Sequence, residues 1–335
     1  MNRPKSKTLM GTQYIGKWRS DIPVYDIVDF NGLNQIIGYV KHINNDGMVL
    51  YRGQSHIYDT LMPNIQRNKD TCTIDEEILK EVIEKLYVDK PFNKIMSWNE
   101  QVKGWKLYIS ISCEALLQHY GAKTHCIDFV DNHWTALWFA LHNYDAERKC
   151  FVERDGINDG DECISFDPYF AYNPKKPHSK QQNIIYQEMI IKRQQEELEY
   201  ANRSNGRHAF LFLYFADISS PDIYGLNIGK NSYIVDLRKA LPGIFLRPVS
   251  QHGWIVKGKD SSFDYNKKII CVLRLQTDLI KEFLGNGTLL SQEHFFPSPE
   301  YDVGYQFLLS RQLGNKYERS KYPHIFPMDM IPTME

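Results

Sequence analysis

The chain has 335 residues, 42% hydrophobic and 24% charged, a balance that suits a globular protein with a substantial core in one large domain or two modest ones. A formal charge of −1 excludes a global attraction to nucleic acid or acidic membrane, so any polyanion must meet a local patch. No segment approaches the roughly 20 apolar residues that cross a bilayer. The basic stretch at residues 1–7 leads into no apolar run of signal-peptide length, and the scattered cysteines form no CxxC pair. The expectation is a reduced, cytoplasmic protein with no membrane role.

In chain order, residues 1–45 read as a helical lead-in, with short helical pieces over 24–30 and 33–40. Asn44–Asn45–Asp46–Gly47 is a turn signal, and residues 48–51 read as the strand after it. Thr73–Ile74–Asp75–Glu76 has the form of a capping box. Behind it Ile78, Leu79, Val82, Ile83, Leu86 and Tyr87 recur along one helical face, until Pro91 ends the helix. A second helix is expected over 98–119, stopping at Gly121. Cys126–Ile127–Asp128–Phe129–Val130 reads as a short apolar strand carrying one acid. The helix after it is apolar all round, through Trp134, Ala136, Leu137, Trp138, Phe139, Ala140 and Leu141, and is therefore expected to be buried.

Residues 146–207 carry the loop markers of an exposed insertion, including a charged helix over 181–200. Within it Lys175, Lys176, Lys180, Lys192, Arg193, Arg203 and Arg207 either track a phosphate backbone or form a solvated face. Strands are expected over 210–215, 232–237, 253–256 and 268–275, with helices near 277–284 and after 301 and an irregular tail over 316–335. Because strands and helices alternate irregularly, α+β is favoured over a doubly wound sheet.

Phosphate-binding glycine loops, a GxSxG elbow and HExxH are all absent from the sequence. Cys113, His119, His125, Cys126 and His133 fit no common zinc spacing, so no metal site is expected.

What remains are pieces in a fixed order. Tyr51–Arg52–Gly53–Gln54 comes first, then the run from Gln118 to Phe129, then Ala136–Leu137–Trp138–Phe139–Ala140. Later come Arg247–Pro248–Val249–Ser250–Gln251–His252–Gly253–Trp254 and Phe296–Pro297. In these pieces, spread over residues 46–310, the chain resembles the FRG domain family, named for its Phe-Arg-Gly motif. It departs from the family pattern at His125, where the family has Arg, at Cys126–Ile127 for Leu-Leu, at Phe129 for Trp and at Val130 for Thr.

The resemblance implies a domain over 46–315 with an ADP-ribosyltransferase-like split β-sheet core and surrounding helices. It also implies an enzyme that uses NAD as co-substrate to modify a macromolecule, RNA or protein, in a bacterial toxin or anti-phage setting with an antitoxin partner. Arg52 would hold the NAD phosphate or ribose, its planar donors suiting phosphate, or else form a structural salt bridge. Gly53 and Gln54 would lie beside it, Gly53 permitting close approach to the backbone or simply a tight strand end. His119 and Tyr120 either line the nicotinamide pocket or cap the helix end. Thr124 bonds a ribose hydroxyl or caps a turn. Arg247 is a further candidate for the cofactor.

Asp128, an acid in an apolar strand, needs a partner: Arg52, Arg247 or the substrate. Gln251 stands where the transferase fold carries its catalytic acid. An amide grips a hydroxyl but takes no proton, which makes Asp128 the candidate general base. Two rival readings are a non-catalytic module that binds NAD-derived ligands, nucleic acid or a partner protein, and an NAD glycohydrolase.

Overall fold

The β-branched and aromatic runs of this chain find strand partners that are far away in sequence, and this decides where the helices can lie. The computed structural model describes residues 1–4, 11–19, 21–96, 105–145, 150–153, 164–166, 207–218, 222, 224–287, 290–311 and 313. The chain folds as two compact units, each made of three separated segments. The first takes Met1–Thr60, Ala136–Phe215 and Lys268–Leu289; the second takes Leu61–Thr135, Ala216–Lys267 and Leu290–Glu335.

The strands of the first unit are β1 (Thr12–Trp18), β2 (Ile22–Ile27), β3 (Met48–Gln54), β7 (Ile164–Phe166), β8 (His208–Ala216) and β12 (Ile269–Gln276), lying in the order β7-β1-β2-β12-β8-β3. A separate hairpin joins β5 (His142–Asp145) to β6 (Cys150–Glu153). β2 runs parallel to β12, whereas β1 with β2, β1 with β7 and β8 with β12 are antiparallel. Its helices are α1 (Phe30–Ile43), most of α5 (His133–Leu141) and α8 (Thr277–Phe283).

Of the two helical pieces expected in the lead-in, the one over 33–40 lies within α1 and the one over 24–30 is corrected. Residues 12–18 and 22–27 form two strands, and every residue of β2 is buried. Val24, Tyr25 and Ile27 suit a pleated, buried surface, and β12 supplies the parallel partner. Arg274 of β12 closes on Asp26 with two hydrogen bonds, Nη2 donating to Oδ2 at 2.6 Å and Nε donating to Oδ1, across 248 residues of chain. The helix begins only at Phe30, where the Asp29 carboxylate accepts from the Gly32 amide at 2.7 Å as an N-cap.

The sheet of the second unit is antiparallel throughout, in the order β4 (Cys126–Val130), β11 (Gly253–Gly258), β10 (Ser232–Asp236) and β9 (Leu226–Ile228). Its helices are α2 (Cys72–Val88), α3 (Lys90–Met96), α4 (Trp105–His119), α6 (Leu237–Ala240), α7 (Leu246–Ser250), α9 (Gln292–Phe295) and α10 (Val303–Ser310). Leu79 and Leu86 of α2, Phe92 of α3, Leu116 of α4, Ile255 of β11 and Leu308 of α10 share one buried cluster.

The expected capping box at Thr73 does not form: Thr71 is the N-cap, and its side chain bonds no helix amide. α2 starts at Cys72, and Thr71 donates to the Asp75 carboxylate at 2.8 Å. Pro91 sits in the first turn of α3, where a missing amide costs nothing. Gly121 adopts φ +93° just after α4, in the left-handed region expected of a helix stop.

The chain is α+β, as the irregular alternation predicts. Among the described residues no helix is long and apolar enough to cross a membrane. The charged helix expected over 181–200, the basic residues from Lys175 to Arg203 and the tail over 316–335 lie outside the described residues.

Candidate functional site

Within the second unit, the end of α4, the strand β4 and the turn into β11 bring polar side chains together. Helix α4 must end at Gly121, which leaves Gln118 and His119 on its last turn. The short link back to β4 is fixed by Thr124, whose amide donates to Asn64 Oδ1 at 2.8 Å and whose hydroxyl accepts from the Cys126 amide at 3.1 Å. That hydroxyl also donates to Gln118 Oε1. The other end of the same amide, Gln118 Nε2, donates to Asp128 Oδ2 at 2.6 Å. Thr124 is fully buried and serves this corner as a turn cap.

Asp128 sits mid-strand opposite Ile255 of β11. Its side chain is 37% exposed, whereas that of His119 beside it is 4% exposed, with His119 Nε2 3.5 Å from Asp128 Oδ1. His119 Nδ1 meets Gln251 Oε1 at 3.0 Å, and Gln251 Nε2 donates to the Phe295 carbonyl at 2.8 Å. Burial holds the His119 imidazole below its ordinary pKa, the Asp128 carboxylate opposing this and the Arg247 guanidinium adding to it. A Cβ on Gly253 would lie 2.8 Å from His119 Cε1, so the glycine makes room for the ring.

A second cluster surrounds Arg247, which is 7% exposed. Its guanidinium stacks 3.9 Å from the Tyr305 ring centre, 5.1 Å from that of Tyr120 and 5.8 Å from that of Phe296. Beneath it Asp302, fully buried, accepts from Tyr120 Oη at 2.6 Å and from the Tyr305 amide at 2.9 Å, the latter as N-cap of α10. Burial raises both the Tyr120 phenol and the Asp302 carboxyl above their ordinary values. Tyr120 is thus buried and links the end of α4 to the cap of α10.

The remaining candidates, Arg52, Gly53 and Gln54, end strand β3 in the first unit, half-buried, behind a fully buried Tyr51. A Cβ on Gly53 would fall 1.7 Å from the Ala136 carbonyl oxygen and 2.7 Å from the Ala140 amide nitrogen. The close approach expected at this glycine is thus the backbone of α5 rather than a ligand.

The sequence selected Asp128, His119 and Gln251 but missed Gln118 and Gly253 as their supports, and Asp302 as the partner of Tyr120. Asp302 carried a readable sign, an acid directly before an apolar helical run. Glu114 was missed as well. It is an acid inside the apolar run of α4, and its Oε1 accepts from the His125 amide at 2.8 Å and approaches His125 Nδ1 at 3.1 Å. Lys257 reaches its other oxygen. His125, where the family carries Arg, thus turns both its amide and its ring toward a buried carboxylate.

Neither the curated proteins nor the solved structures contain a match to this chain. The FRG domain family model matches residues 47–149, which run from β3 through the α4–β4 corner to the chain just beyond β5, so the chain carries an FRG domain.

Proposed function

We propose that the protein is an NAD-dependent ADP-ribosyltransferase that modifies a macromolecule, RNA first and protein second, as a bacterial toxin or anti-phage effector held in check by an antitoxin. In this reading the core is an ADP-ribosyltransferase-like split sheet, Arg52 grips the NAD phosphate or ribose, and Asp128 is the general base. Cleaving the nicotinamide–ribose bond develops positive charge on the ribose, and orientation plus electrostatics carry most of such a step. The single observation that supports the reading is one part-exposed carboxylate, Asp128, met by Gln118 and by His119, whose other ring nitrogen is held by Gln251. A few convergent polar groups that solvent can reach are a mark of binding and active sites.

Gln251 favours a second reading, a non-catalytic module for a nucleotide or a partner. It is 6% exposed, and both ends of its amide are engaged, by His119 and by the Phe295 carbonyl. The two readings separate when the pure protein is incubated with adenylate-labelled NAD together with cellular RNA or protein. Transfer of label that disappears in Arg52→Ala and Asp128→Asn is the expected result. Nucleotide binding without transfer or nicotinamide release supports the module, and nicotinamide release without an acceptor supports a glycohydrolase.

A further inference from the structure

Gln251 settles which nitrogen of His119 carries hydrogen. Its amide nitrogen donates to the Phe295 carbonyl, so its oxygen is the atom turned toward Nδ1, 3.0 Å away. An amide oxygen only accepts, so Nδ1 bears the hydrogen and, in the neutral ring, Nε2 bears the lone pair. That lone pair points at Asp128 Oδ1 across 3.5 Å, and among the described residues nothing hydrogen-bonds Nε2. Two acceptors therefore oppose each other inside the protein, an arrangement that becomes attractive only with a proton between them.

We infer that His119 and Asp128 work as a one-proton pair, with His119 the positioning residue and Asp128 the group that meets the outside. Asp128 takes a proton on its exposed side, and His119 Nε2 stabilises it as an imidazolium–carboxylate pair. The net charge of the pair moves from −1 to 0. The acceptor's O–H bond breaks heterolytically and its electron pair attacks ribose C1′, while the C1′–N bond to nicotinamide breaks and neutral nicotinamide leaves with that bond's electron pair; no protein covalent bond other than the proton's changes. The charged groups facing the ring are Asp128, which favours the imidazolium, and Arg247, which disfavours it. Gln118 holds the far carboxylate oxygen, and Gly253 leaves room for the imidazole. The Arg-x-x-x-Gln-x-Gly segment thus acquires a physical meaning: its glutamine sets the tautomer and its glycine makes space for the ring. The pair stands on this geometry; its use in group transfer rests on the proposed function.

The test uses the full chain labelled with ¹⁵N at histidine and no NAD. Long-range ¹H–¹⁵N spectra of His119 should show a protonated Nδ1 and a bare Nε2 near neutral pH, and double protonation as pH falls. Asp128→Asn should require about tenfold or more higher proton concentration for double protonation, because the opposing charge is gone. Gln251→Glu, equally close in shape, should shift the transition the other way by a similar factor. A neutral ring carrying its hydrogen on Nε2 overturns the inference. So does a ring that stays neutral until the protein unfolds, or an Asp128→Asn transition that does not move. Once NAD transfer is in hand, His119→Gln should lower kcat by about 100-fold or more with little change in KM. Spectra as expected without any transfer would remove the transferase reading and leave the pair intact.

Discussion

A methyl group at position 53 has nowhere to go, because it would land 1.7 Å from the Ala136 carbonyl oxygen. Backbone cannot yield as a flexible side chain can, so Gly53→Ala should lower stability by about 1–3 kcal/mol or more, read from the urea midpoint. An unchanged midpoint would remove this account of the Arg-Gly pair. Tyr120 allows a similar decision between roles. As a core residue donating to buried Asp302, its Tyr120→Phe variant should lose about 1.5–3 kcal/mol of stability, the range for a hydrogen bond to a charged group. As a pocket wall it would instead raise the KM for NAD without loss of stability. At this scale the sequence showed which residues are unusual and not what they touch. Asp128 stood out as an acid among apolar neighbours, but nothing local to it could reveal that Gln251, 132 residues from His119, holds that imidazole.

Elements were legible where the apolar run was compact and bounded. β4 matches its expected limits, and β8, β11 and β12 lie within a few residues of theirs, because each is a short apolar run closed by polar or glycine-rich chain. β2 was misread because its strand character comes from β1 and β12, and β12 follows more than two hundred residues later. The α4–β4 corner gives this scale its prediction. Burial pushes the Glu114 carboxyl up, but the His125 hydrogen bonds and the Lys257 ammonium outweigh it and bring Glu114 down to about 2. His125 is raised by its hydrogen bond to Glu114 in spite of its own burial.

The depressed Glu114 contributes stability that is complete above its ordinary value of 4.5 and is lost as pH falls toward about 2. The raised His125 contributes stability that is complete below its ordinary value of 6.5 and is lost as pH rises through its higher folded value. Urea midpoints measured across this range should therefore fall on both flanks. His125→Arg restores the family's residue and a permanent charge, and should flatten the alkaline flank while leaving the acid flank in place. An alkaline flank as steep as that of the unaltered protein would contradict the pairing.

For the whole molecule, the family match and the folding units do not share boundaries. Residues 47–149 contain parts of both units, and β4 within them pairs with β11, which lies outside. A fragment cut to 47–149 deprives that strand of β11 and should show no cooperative urea transition, whereas the full chain should. A sigmoidal transition in the fragment would show that the matched stretch folds unaided.

Interleaving also has a consequence for synthesis. The first unit waits for β12, and the second waits for Asp302 to cap α10 and for Tyr305 to cover Arg247. A ribosome that has translated residues 47–149 has therefore produced neither core in full, and the two units close only once β12 and α10 have emerged.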